Sequence, residues 1–68
     1  MVTLQQLREL ILDISADEKI HTRQELIACA KEKYDMRYYD ADQRTTSAIK
    51  SLLKSGVLVK LERGIYQQ

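Results

Sequence analysis

The stretch that decides the fold reads DQRTTSAIKSLLKSGVLVKLERGIYQQ, residues 42–68. Its apolar residues recur at helical spacing up to Gly56 and alternate with polar residues beyond it, which is the period of a strand. Glycine enters the left-handed conformation that ends many helices without steric cost, so Gly56 marks a helix end. We therefore predict a helix over 43–55 and a two-stranded hairpin over 57–66.

The predicted helix has a cap and two faces. Asp42 is a favourable N-cap, since its carboxylate can accept a hydrogen bond from an N–H group of the first turn. The inward stripe consists of Thr45, Ala48, Ile49, Leu52 and Leu53. The opposite face carries no acid and consists of Gln43, Arg44, Ser47, Lys50, Ser51 and Lys54. This face is therefore a candidate for contact with a polyanion.

The hairpin is predicted from a two-residue repeat. Val57, Val59 and Leu61 are expected to face inward, alternating with Leu58, Lys60 and Glu62. A short loop at Arg63-Gly64, with Gly64 left-handed, lets Ile65-Tyr66 pair back. The pattern leaves the register open by one residue.

Two further helices are predicted from their capping boxes. Thr3 with Gln6 opens the first, and Thr22 with Glu25 opens the second. Their buried faces are expected to be Leu4, Leu7, Leu10, Ile11 and Ile14 in the first and Leu26, Ile27, Ala30 and Tyr34 in the second. Leu12 falls outside its stripe and is interpreted as a surface leucine, with a small dimer contact as the alternative.

The connections carry less information. Ile20 is expected to form a very short strand with one inward side chain, which would add a third strand to the hairpin. His21 is interpreted as a surface residue at a helix entry. Residues 34–40 are expected to be irregular, with Tyr38 or Tyr39 sealing the core between two helices. The alternative is that these rings stack on the bases of a single strand.

Length and composition exclude several classes of function. Sixty-eight residues permit one domain, residues 1–68, with one small core. No apolar run could span a membrane and the start lacks signal-peptide order, so a cytoplasmic protein is expected. A single cysteine, Cys29, and a single histidine predict neither a disulfide nor a metal site. With no phosphate loop and no paired nucleophile and base, we expect no enzyme and no cofactor.

Charge is distributed unevenly. Residues 1–42 hold six basic and nine acidic residues, and residues 43–68 hold five basic residues and one acid. The two parts thus carry −3 and +4, although the whole chain carries only +1. Such asymmetry is typical of a protein with a nucleic-acid face in one half.

The order helix, strand, helix, helix, strand, strand resembles the winged helix-turn-helix domain, an α+β fold. The resemblance covers nearly all of the chain. Residues 22–27 would open the second helix, residues 47–56 would belong to the recognition helix, and residues 57–66 would be the wing. Arg63-Gly64-Ile65-Tyr66 is similar to the closing turn of small bacterial and phage regulators and of antitoxin N-terminal domains.

The resemblance implies a DNA-binding module of transcription regulation with double-stranded DNA as its partner. Its recognition helix would present Gln43, Arg44, Thr46, Ser47 and Lys50 to base edges, and Lys54, Lys60 and Arg63 would contact phosphates. Arginine and lysine can donate to guanine, and glutamine can pair with adenine. Two alternatives stay open. One is a winged helix that holds a protein partner or a second copy of itself, and the other is an RNA or single-strand binder.

Overall fold

A computed structural model describes residues 2–68. Its helices are α1 (Leu4–Ser15), α2 (Arg23–Tyr34) and α3 (Tyr38–Ser55), and its strands are β1 (His21–Thr22), β2 (Val59–Glu62) and β3 (Ile65–Gln67). The strands form one antiparallel sheet in the order β1-β3-β2. The predicted α+β fold, with its element order and its third strand, is confirmed.

The caps of α1 and α2 follow from the sequence. Thr3 and Gln6 form the full reciprocal capping box. Thr22 accepts a hydrogen bond from the backbone N–H of Glu25, but the Glu25 carboxylate contacts His21 instead of returning to the cap. The second box is therefore only half formed, because the acid has another partner.

Helix α3 begins five residues before the predicted start at Gln43. Arg37 is its N-cap and makes no side-chain cap hydrogen bond, so the prediction of Asp42 as N-cap is wrong. Asp35 takes the left-handed conformation (φ 49°) at the end of α2, and the N–H of Met36 closes that end by donating to the carbonyl of Lys31 at 3.1 Å. The prediction of an irregular stretch over 34–40 is therefore wrong, because only residues 35–37 lie outside the two helices and form a three-residue turn.

The first turn of α3 is stabilised by the burial of Ala41. Ala41 is fully buried, and its N–H donates to the carbonyl of Arg37 at 2.9 Å. Neither tyrosine seals the core, since Tyr38 is 53% and Tyr39 71% exposed. Both rings stand at the outer side of this turn, which corrects the expectation that one of them lies between α2 and α3.

The core lies between the three helices and one side of the sheet. It consists of Leu7, Leu10, Ile11, Leu26, Ala30, Ala48, Ile49, Leu52, Leu58 and Tyr66. Leu4 belongs to the predicted stripe but is 48% exposed, because it stands in the first turn of α1. Leu12 was expected at the surface and instead packs partly against the core.

The apolar residues of the hairpin have the opposite phase to the predicted one. Leu58 is buried, whereas Val57, Val59 and Leu61 are exposed. The reason is the turn at Gly56: the N–H groups of Val57 and Leu58 both donate to the carbonyl of Leu52, which directs Leu58 to the core. Gly56 itself is left-handed at φ 78°, as predicted.

The short strand β1 also differs by one residue. Ile20 is 58% exposed, and His21 is the buried residue opposite Tyr66. The inward position predicted for Ile20 and the surface position predicted for His21 are therefore both wrong. Pairing with β3 sets the phase here, so that the histidine lies on the helix side of the sheet.

Within residues 2–68, no helix combines the length and the apolar character needed to cross a membrane.

Candidate nucleic-acid interface

A cleft of about 700 Å³ lies where the start of α2, one flank of α3 and the β2–β3 hairpin meet. Its lining residues are Thr22, Arg23, Gln24, Thr46, Ile49, Lys50, Leu53, Lys60, Arg63, Gly64, Ile65 and Tyr66. Three elements that are distant in sequence therefore contribute to one concave surface.

The charge of this cleft has one sign. Arg23, Lys50, Lys60 and Arg63 line it, and no aspartate or glutamate of residues 2–68 does. Lys50, Lys60 and Arg63 are exposed and make no ion pair within the described chain. Cations on low-dielectric walls reinforce one another's potential, so an anion is attracted more strongly to the cleft than to the surrounding surface. We call this surface the basic cleft.

The hairpin is held against the start of α2 by the backbone. The N–H of Arg23 donates to the carbonyl of Gly64 at 2.8 Å, and Gly64 is left-handed at φ 75°. The tip arginine, Arg63, therefore stands at a fixed place beside the first turn of α2. A β-bulge between Lys60 and Glu62 shifts the register of β2 against β3, with Lys60 opposite Tyr66.

Arg23 joins the cleft to the side of α3. Its Nη1 lies 3.5 Å from Oγ1 of Thr46 and 3.6 Å from Oδ1 of Asp42. Thr46 in turn donates to Oδ1 of Asp42 at 3.3 Å, one helical turn away. The arginine thus has a carboxylate neighbour at the rim of the cleft, although Asp42 does not line it.

The predicted site residues divide between two places. Thr46, Lys50, Lys60 and Arg63 come together in the basic cleft. Gln43, Arg44 and Ser47 instead line a separate depression of about 330 Å³ with Leu4 and Leu7 of α1. Ser51, half-buried, and Lys54, exposed, line neither.

Within the second group, Arg44 points to the N-terminal segment. Its Nη1 donates to the carbonyl of Val2 at 3.4 Å. The hydroxyl of Ser47 donates a hydrogen bond to the carbonyl of Gln43 at 3.1 Å, within the same helix. These contacts place Arg44 on the α1 side of α3, away from the hairpin.

Sequence reasoning missed Arg23 as a residue of this region, and it misplaced Tyr38 and Tyr39. Arg23 lies within the capping-box stretch 22–25, and its proximity to the hairpin is a tertiary feature that the sequence does not reveal. Tyr39 lies one turn before Gln43 on the outward side of α3, whereas Tyr38 donates to Oε1 of Gln24 at 3.1 Å. The early start of α3 places Tyr39 in the helix, and Arg37 carries no N-cap side chain that would have indicated this start.

His21 forms a second polar cluster at the sheet. Its Nε2 lies 2.9 Å from Oδ1 of Asp17, and its Nδ1 contacts the Glu25 carboxylate. The hydrogen bond with Asp17, and then that with Glu25, raises the pKa of His21 above its ordinary value. Burial raises the pKa of the half-buried Cys29, which disfavours its thiolate.

No group of three histidine, cysteine, aspartate or glutamate residues that could hold a metal ion occurs in the part of the chain that the structure describes. Comparison with protein-family models, with curated proteins and with solved structures finds no match to this chain.

Proposed function

We propose that this domain is a winged helix-turn-helix module that binds duplex DNA, with α3 directed to the major groove and the β2–β3 hairpin against the neighbouring backbone. The observation that carries the proposal is the basic cleft. Four cations from three elements line it without a carboxylate, in a chain whose net charge is only +1.

The dimensions of α3 suit this role. Eighteen residues make a helix about 27 Å long, and the major groove of B-DNA is wide enough to admit a helix. Gln43, Ser47, Lys50 and Lys54 recur on its outward side at spacings of three or four residues, which places them on one face. The middle of the helix is the best candidate for base contacts, because Asp40 and Asp42 lie in its first turns.

The proposed role of each residue follows from its position on the hairpin or on α3. Lys60 and Arg63 on the hairpin supply contacts to phosphates, which set affinity and register without reading sequence. Lys50, at the border between the outward face and the cleft, can reach a base edge or a phosphate. Arg44 lies on the α1 side, so its contribution to base reading would be at the opposite edge of the helix.

The test is a fluorescence-anisotropy titration of a labelled duplex of random sequence with the full chain, repeated over a range of salt concentrations. We expect binding that weakens steeply as salt rises, because each neutralised phosphate releases counterions. Absence of duplex binding at low ionic strength would overturn the proposal. Competition by an unlabelled single strand of equal length separates duplex binding from stacking on Tyr38 and Tyr39.

A second candidate function is contact with a protein partner through the hairpin. The observation that favours it is the exposure of Val57, Val59 and Leu61, which stand at alternate positions and are each at least 40% exposed. Strand β2 is also an edge of the sheet, so its outer side can accept another strand. Recovery of one stoichiometric protein partner after nuclease treatment, lost on replacing Val59 and Leu61 with threonine, would support this function.

A further inference from the structure

The pair formed by Arg23 and Asp42 is the one ion pair of the described chain that touches the basic cleft. Arg23 is 40% and Asp42 31% exposed at the side chain, and the nitrogen–oxygen distance is 3.6 Å. A partly exposed pair at this distance is weak. Arg23 nevertheless lines the cleft together with Lys50, Lys60 and Arg63, whereas Asp42 is not among the lining residues.

We propose that Asp42 limits the DNA affinity of this domain by holding Arg23, which exchanges the carboxylate for a DNA phosphate when the duplex binds. The inference rests on the proposed function, since it requires a duplex in the basic cleft. Arg23 then acts as a fourth phosphate-binding residue, and Asp42 is a positioning residue that does not itself touch DNA.

The exchange follows from the geometry of the two anions. Asp42 offers Arg23 one long contact and also accepts the hydroxyl hydrogen of Thr46. A phosphate in the cleft can offer two oxygens to the planar guanidinium at short distance, which is the stronger, bidentate arrangement. The backbone of Arg23 is fixed by its hydrogen bond to Gly64, so only the side chain has to turn.

The experiment compares Asp42→Asn with Asp40→Asn in the full chain. Both variants remove one negative charge from the first turns of α3, but no ion pair is formed by Asp40 within residues 2–68. Asparagine at 42 retains an oxygen that can accept from Thr46. We expect Asp42→Asn to bind random duplex roughly two- to fivefold more tightly than Asp40→Asn does, the size of a surface ion pair that no longer has to be broken.

The same comparison in an Arg23→Gln background isolates the arginine. There, Asp42→Asn should gain no more than Asp40→Asn, because there is no guanidinium left to release. Arg23→Gln alone should also make the negative slope of log affinity against log salt shallower by about 0.9. Urea unfolding midpoints of all variants establish that binding differences do not come from loss of the fold.

The outcomes separate the two proposals. A wild-type chain that binds no duplex at low salt overturns the proposed function. A wild-type chain that binds, with equal gains for the two asparagine variants or with a gain that survives Arg23→Gln, overturns the role of Asp42 alone. As a second measurement, the Nε–Hε resonance of Arg23 should shift when duplex is added to wild type, and an unshifted resonance contradicts the exchange.

Discussion

Nε2 of His21 lies 2.9 Å from Oδ1 of Asp17, four residues earlier in the chain. The other ring nitrogen contacts Glu25, four residues later, so one buried imidazole links the connection between α1 and β1 to α2. With a carboxylate at each nitrogen, the protonated form of the ring is favoured, because in that form both nitrogens donate.

The first prediction concerns pH. The pKa of His21 is raised above 6.5 by Asp17 first and Glu25 second. The folded state therefore holds the proton more tightly than the unfolded state. The contribution of protonated His21 to the stability of the fold is fully present below about pH 6.5 and is lost as the pH rises through the folded-state pKa of His21. Urea unfolding from pH 5.5 to 9 should show a stability that falls over this window.

His21→Gln provides the control for this pH dependence. Glutamine does not titrate, so the fall on the alkaline side should disappear, and stability below pH 6.5 should drop by about 1–3 kcal/mol through loss of charged hydrogen bonds. A fall of equal size in the variant would assign the pH dependence to other groups. Asp17, whose pKa is lowered chiefly by His21, gives a loss only at acid pH, as it protonates.

The second prediction separates the basic cleft from general positive charge. Replacing Lys60 or Arg63 with alanine should in each case make the negative slope of log affinity against log salt shallower by about 0.9. Lys31, an exposed lysine in the last turn of α2, is the matched control, because the cleft is at the other end of that helix. Lys31→Ala should leave the slope nearly unchanged, and equal effects at all three positions would contradict the cleft as the binding surface.

The third prediction concerns Gly64. Its φ of 75° lies in the left-handed region, although a methyl group there would meet no atom within 4 Å. Gly64→Ala should therefore destabilise the fold by about 1–2 kcal/mol through backbone strain alone. Gly64→Asn should cost less, because asparagine tolerates this conformation. Thermal unfolding of the two variants measures the difference, and equal losses would point to a contact instead.

The fourth prediction concerns a buried hydroxyl. Thr45 is fully buried in α3, and its Oγ1 has no hydrogen-bond partner in the described chain. Valine has nearly the same shape without the polar atom, so Thr45→Val should raise the free energy of unfolding by about 1 kcal/mol. Thr45→Ala, which also removes the hydroxyl but leaves a cavity, should not give this gain. Urea unfolding at one pH is sufficient for the comparison.

Local signals in the sequence predicted most of the elements. Thr3, Thr22 and Gly56 each carry a chemical reason to begin or end a helix, and all three do so. Gly64 likewise takes the predicted left-handed turn. The start of α3 was missed because Arg37 has no capping side chain, whereas Asp42 resembles a cap but lies inside the helix.

The remaining errors come from tertiary structure. Hydropathy favoured Ile20 over His21 as the inward residue, but the carboxylates of Asp17 and Glu25 make the histidine the better partner at that position. Lys50, Lys60 and Arg63 were predicted as DNA-contacting residues, and they lie together in the basic cleft. That Arg23 joins them could not be predicted, since its place depends on a backbone hydrogen bond to a residue 41 positions later.

The strand order has a consequence for the order of folding events. Strand β3 follows β1 and β2 in sequence but lies in the middle of the sheet, between them. During synthesis, His21 leaves the ribosome 45 residues before its partner Tyr66. Neither outer strand has its neighbour until Ile65–Gln67 emerges. The helices can form as they are made, but the sheet must assemble in one late, non-local step.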